Sequence, residues 1–143
     1  MANADVSINL CTAIDTKFST SNDFNTSVSG KFFENEAPVG TTYPYAVYSL
    51  IAAPKEKTFA EVYTNTLMDI VIFSSNMDSS EIKNIYYHAY DLFHECDLTI
   101  TGSTLVWMKN TGLMTDIQEE TTPSGTRMVR AYYMDFEVRT SLD

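Results

Sequence analysis

His88, His94 and Cys96 are the only soft metal-ligand cluster in the sequence. Zinc sites need four converging donors, and the spacing here offers three at most. His94 and Cys96 are two residues apart, so one regular helix cannot aim both inward. His88 sits beside an apolar stripe and reads as a helix surface residue. No metal site is expected. Carboxylates come in neighbouring pairs at Glu34 and Glu36, and at Glu119 and Glu120. Glycoside chemistry needs two carboxyls facing each other across a cleft, one of them with a raised pKa. Adjacent residues on a strand point to opposite faces, which separates Glu119 from Glu120. The chain has no phosphate-binding glycine loop, no G-x-S-x-G elbow and no H-E-x-x-H, so nothing marks a cofactor or a catalytic residue.

Nine tyrosines are the unusual feature: Tyr43, Tyr45, Tyr48, Tyr63, Tyr86, Tyr87, Tyr90, Tyr132 and Tyr133. Tyrosine combines a large apolar area with a polar tip and serves cores and interfaces alike. Tyr87 and Tyr90 lie off the main apolar stripe of their helix, which leaves both roles open for them. The remaining tyrosines fit a core.

The 143 residues suit one domain, spanning 1–143, with enough apolar content (44%) for a hydrophobic core. The formal charge is −10, from nine basic and nineteen acidic residues. Duplex binding needs a basic footprint, and this surface repels phosphate. The N-terminus "MANADVSINLC" has no basic start and no apolar core segment. It predicts no signal peptide, synthesis in the cytoplasm, reduced cysteines at Cys11 and Cys96, and no use of the sequon at Asn25. No apolar run reaches membrane-spanning length.

The elements that must position these residues follow from periodicity. Val6, Leu10, Ile14 and Phe18 recur every four residues and predict a helix over 3–19, capped at Asn3. "STSNDFNTSVSG" reads as a break. Strands are predicted at 28–34 and 43–53, the second apolar on both faces and covered on both sides. "PKEKTFAEVYT" reads as a connection to a strand over 64–74, whose Asp69 end is solvated. Asp78 and Glu81 form a D-x-x-E capping pair. Ile82, Ile85, Tyr86, Ala89, Phe93 and Cys96 then make a helical stripe to about residue 96. Short strands follow at 98–101 and 104–108. A hairpin over 112–120 and 126–139 turns at "TTPSGT". Its return arm puts Met128, Arg130, Tyr132, Met134, Phe136 and Val138 on one face, and Arg127, Asp135, Glu137 and Arg139 on a wet one. The order predicts an α+β fold with a mostly antiparallel sheet, two main helices on one face, and a long C-terminal β-hairpin.

The stretch "APVGTTYPYAVYSL" at 37–50 enters its strand through Ala-Pro, a glycine and Tyr-Pro-Tyr. With the helix "YYHAYDLFHE" and the arm "GTRMVRAYYMDFEVRT", it resembles the tail terminator proteins of tailed phages, also called tail completion or head–tail joining proteins. The order of elements agrees over 5–140. The long lead "STSNDFNTSVSGKFFENE" and the strand around Trp107 depart from shorter members. The resemblance implies a structural virion protein of the tail neck, without enzymatic activity or cofactor. It implies a hexameric ring on the head-proximal end of the tail tube, contacting the tube protein and the head connector or stopper. DNA would pass through the ring without specific binding. On that reading Tyr43, Tyr45, Phe59, Tyr63, Tyr87 and Tyr90 are candidate subunit contacts, because sheet edges and tyrosine-rich strand ends are adhesive. Asp116, Glu119 and Glu120 are candidates to line the channel. The alternative is an acidic DNA mimic or another small interaction protein binding a protein partner. Its mark would be regularly spaced carboxylates on one face, whereas the acids here are scattered through loops and hairpin arms.

Overall fold

Three helices lie on one face of a seven-stranded sheet in the computed structural model, which describes residues 6–20, 22–57 and 61–143. Helix α1 (Ser7–Ser19) buries Leu10, Ile14 and Phe18 at the predicted spacing, with Cys11 and Ala13 beside them. The predicted cap, Asn3, lies outside the described residues. The segment expected only to break this helix holds a second, short one, α2 (Asp23–Ser27). Asn22 caps it, its side chain accepting from the Asn25 N–H at 2.7 Å. Five residues are too few for a visible period, and Phe24 is the one buried anchor. Ser29 and Gly30 then take left-handed conformations that reverse the chain, which shortens the first strand to β1 (Phe32–Glu34).

The remaining strands are β2 (Tyr45–Ala52), β3 (Lys55–Lys57), β4 (Val62–Ser74), β5 (Thr99–Ile100), β6 (Ser103–Thr122) and β7 (Gly125–Leu142), with helix α3 (Ser80–Phe93) between β4 and β5. The sheet runs β1-β2-β4-β7-β6-β5, with β3 pairing β4 beyond the end of β2. Among the described residues only β1–β2 is parallel. Pro44 stands just before β2, where its missing N–H interrupts no ladder.

Several predicted boundaries are corrected. The "PKEK" connection contains β3, an added piece of edge. Helix α3 stops at Phe93, so Cys96 lies beyond its stripe. The D-x-x-E box does not close. Asp78 accepts from the Ser80 N–H at 3.0 Å, while the Glu81 carboxylate takes the Ser74 hydroxyl at 2.7 Å. The strands expected at 104–108 and 112–120 are one strand, β6, with register shifts at Leu105/Trp107 and Asn110/Gly112. "KNTG" looks like a turn but forms a bulge. Asn110 Nδ2 donates to the carbonyls of Gly112 and Asp135, which satisfies the disrupted ladder.

The core lies between the helices and the sheet. Phe18, Phe24, Phe32, Tyr48, Phe93 and Phe136 form a chain of ring contacts with centroids 4.7 to 6.4 Å apart. Ala46, Met68, Ile70, Ile72, Met134 and Val138 supply the sheet side of it. Tyr48 ties β2 to α1 through a 2.9 Å hydrogen bond to Asp15. The other side of β2 is not fully covered, contrary to expectation, because the loop over 35–41 and Glu120 of the hairpin leave a groove above it. The hairpin outruns its support. The last β4–β7 pair is Ser74 with Arg130, so the distal arms form a two-stranded ribbon. Met128, expected inside, is therefore 52% exposed, whereas Val129 and Ala131 on the predicted wet face are buried.

Candidate functional site

The helix-free face of the sheet carries a groove of about 480 Å³. Alternation along β2 and β4 supplies its floor: Tyr45, Val47 and Ser49, then Phe73, Val71 and Asp69 in register beside them. Asn35 to Thr41 form one wall, and Glu120 from the hairpin closes the other. Tyr43 and Tyr45 stack with centroids 5.3 Å apart, and Tyr45 meets Phe73 at 5.0 Å. Tyr43 donates its hydroxyl proton to Glu120 Oε2 at 2.9 Å. Arg127 donates to the same oxygen at 3.1 Å and lies over the Tyr43 ring at 4.8 Å. Burial, then the Glu120 bond, pushes the Tyr43 phenol up to about 12, so it stays a donor. The Arg127 and Tyr43 bonds hold the Glu120 carboxyl below its ordinary range. This network fastens the tip of the hairpin ribbon, two pairs from its turn, to the entry of β2.

Two aspartates stand directly opposite each other on the same face, Asp69 on β4 and Asp135 on β7. Like charges opposite one another destabilise a sheet. No lysine or arginine forms an ion pair with either among the described residues. Asp69 is half-buried, not solvated as expected, and its Oδ1 is buried without a partner. Burial first, and the Asp135 charge second, raise the Asp69 pKa from the ordinary 3.8. A raised folded-state pKa means that the folded chain holds this proton more tightly than the unfolded chain. The stability linked to it is present below 3.8 and is lost as pH rises through the raised value. Asp69→Asn is therefore expected to melt higher than the wild type at pH 7, with the gain shrinking as pH falls toward 3.8. Thermal melts across that range check it. A variant that loses stability at pH 7 would show the carboxylate to be paired.

The sequence-predicted contact residues fall in three places. Tyr43 and Tyr45 are in the groove. Tyr63, at the start of β4, lies under Arg139, whose guanidinium is 4.2 Å from its ring and bonds Glu56 and Asn65. Tyr87 is 61% exposed on the outer side of α3, next to Tyr86, while Tyr90 stacks on His94 at 4.4 Å and packs against the core. Phe59 lies outside the described residues. Of the channel candidates, Asp116 and Glu120 share the groove side of the hairpin and Glu119 faces the helix side. Their partners show this: Asp116 opposes Ala131, Glu120 opposes Arg127, and Glu119 opposes Met128. The three channel candidates are thus divided between the two faces, Glu119 and Glu120 as their adjacency requires.

The soft-ligand residues do not converge. His94 Nδ1 accepts from the Asn110 N–H at 3.0 Å, and Cys96 Sγ sits 3.7 Å from Met108 Sδ. Among the described residues no three His, Cys, Asp or Glu side chains come together to hold a metal ion. Both cysteines are free thiols. Burial, reinforced by Glu34, pushes the Cys11 thiol up to about 12, far from a reactive thiolate. Sequence reasoning missed Arg127 as the partner of Glu120. It also missed the opposition of Asp69 and Asp135, which depends on the β4–β7 register.

No protein-family model matches the sequence, and no curated protein sequence matches it. Solved structures do resemble the chain. A chain from the virion of a native gene transfer agent particle superposes with TM-score 0.77 at 12% identity, covering 97% of this chain and 99% of that one. A second solved structure superposes with TM-score 0.55 at 9% identity, covering 95% of this chain and 96% of that one. At such identities the likeness is one of fold.

Proposed function

We propose that this chain is a structural virion protein, a ring-forming tail terminator of the tail-completion type. It would cap the head-proximal end of a tail tube, join it to the head connector or stopper, and leave a channel for DNA. The observation that carries this reading is the end-to-end likeness in fold to a chain of a gene transfer agent virion, with nearly all of both chains matched. The Tyr-Pro-Tyr strand entry and the long C-terminal hairpin add to it. The role is one of assembly and not of catalysis.

The charge distribution suggests an orientation. The groove side carries Asp69, Asp116, Glu120, Asp135 and Glu137 against Lys109, Arg127 and Arg139, an excess of acid, whereas the helix side of the ribbon carries Ile117, Met128 and Arg130 around a single acid, Glu119. A lumen that conducts DNA should repel it and not hold it. We place the groove side, with Asp116 and Glu120, toward the channel and the helices outward. Electron microscopy of the purified protein, alone and mixed with tail tubes, is expected to show rings seated at one tube end. Monomers under both conditions would overturn the reading. The fold has no helix long and apolar enough to cross a membrane among the described residues.

A further inference from the structure

The two borders of the sheet are both unfinished, and they match. On one border, β6 pairs with β5 only at Ser103 and Thr104. The turn after α3 covers it at Met108 and Asn110, through the Glu95 N–H at 2.7 Å and His94 Nδ1 at 3.0 Å. From Thr111 to Thr122 no other strand or loop pairs with its outer backbone edge among the described residues, where the Ile117 N–H turns back to the Asp116 carboxylate at 2.9 Å. On the other border, β1 covers β2 only at Ala46, Val47 and Tyr48. From Ser49 to Lys57 the outer edge of β2 and β3 is unpaired too among the described residues. Long bare edges are templates for strand addition, and a monomer that keeps two of them is exposed to aggregation.

We infer that the open edge of β6 in one copy pairs with the open 49–57 edge of the next, in a head-to-tail contact that continues the sheet from subunit to subunit. This rests on the ring reading above and names its seam. The strand directions agree. β2 and β3 run antiparallel to β4, β4 to β7, and β7 to β6, so a neighbour's β2–β3 edge meets β6 antiparallel with its helices on the same side. A contact between two different borders propagates, and it closes when the rotation per subunit divides the circle.

The side chains agree as well. Lys55 opposes Thr64, Thr64 opposes Thr140, and both threonines are buried, so Lys55 and Lys57 lie on the helix side of the sheet. Glu119, opposite Met128, lies on that same side of β6. Neither lysine nor Glu119 has an ion-pair partner among the described residues. The 49–57 border exposes Ile51 and the β6 border exposes Leu113 and Ile117, apolar area that strand addition would cover. Edge lysines also serve to ward off other chains, and the test below separates that role from a seam.

The experiment is a charge-reversal cycle on the full chain, read by mass photometry and sedimentation velocity. Lys55→Glu with Lys57→Glu, or Glu119→Lys alone, should raise the concentration for half-assembly by about tenfold or more, and combining them should restore it to within about threefold. All three sites are exposed, so monomer melting temperatures should stay at the wild-type value, which guards against misfolding as the cause. Unchanged or stronger assembly in the lysine variant would mean that the lysines only guard the edge, and would overturn the seam. Failure of the combined variant to recover would overturn it too. Wild-type rings indifferent to every reversal would remove the seam and leave the ring reading intact. A wild type that never forms rings, with or without tubes, would remove both.

Discussion

Phe93→Ala is expected to destabilise the chain by about 3–5 kcal/mol, the range for removing a fully buried aromatic ring. Phe93 is completely buried between the α3 stripe, α2 and the sheet. Its ring lies 6.1 Å from Phe24, 6.0 Å from Phe32 and 6.4 Å from Phe136, so it bridges α2, β1 and β7 at once. Neighbours held by three separate elements cannot collapse together into the space left behind. His88, five residues earlier on the same helix, gives the contrast. It is only partly buried, and its Nδ1 is a buried atom without a hydrogen-bond partner. Removing an unsatisfied group relieves a cost, so His88→Ala should change stability by less than about 1 kcal/mol. Urea titrations of both variants check the pair. Equal midpoint shifts would mean that the inward face of α3 is misassigned.

That contrast also shows what could be read from residues alone. The stripes Leu10, Ile14, Phe18 and Ile82, Ile85, Ala89, Phe93 are local, repeat at helical spacing, and are buried where expected. Alternation along β4 likewise puts Met68, Ile70 and Ile72 on one face, and all three are buried. Helix α2 escaped notice because one anchor in five residues makes no period. The continuity of β6 escaped because Asn110 and Gly112 are turn residues in isolation, and only the Asp135 carbonyl across the ladder makes them a bulge. The site was legible in its parts and not in its assembly. Tyr43, Tyr45 and Glu120 were each singled out, but for two different surfaces. Their junction through Arg127 depends on where the hairpin register sets Glu120, which no local pattern encodes.

Asp116→Lys is expected to leave ring assembly intact and to slow or stall DNA ejection, if the groove side faces the channel as proposed. Asp116 is exposed and opposes Ala131 on that side. Its carboxylate bonds only locally, to the Ile117 N–H at 2.9 Å and Gln118 Nε2 at 3.1 Å, so its loss should cost the fold little. A ring repeats the substitution in every subunit, which turns a repelling annulus into one that can neutralise several phosphates at once. Each phosphate engaged adds counterion release to the attraction, and the hold should weaken steeply as salt rises. Glu120 is the less clean choice, because Glu120→Lys would also break the Tyr43 and Arg127 bonds. A graded series settles the cause. Asp116→Asn, which removes the charge without reversing it, should eject at a rate between the wild type and Asp116→Lys. The Lys variant should recover in higher salt, where screening weakens phosphate contacts. Wild-type ejection rates and infectivity in Asp116→Lys particles would put the groove side on the outside of the ring, and the acids there would serve only to keep it soluble.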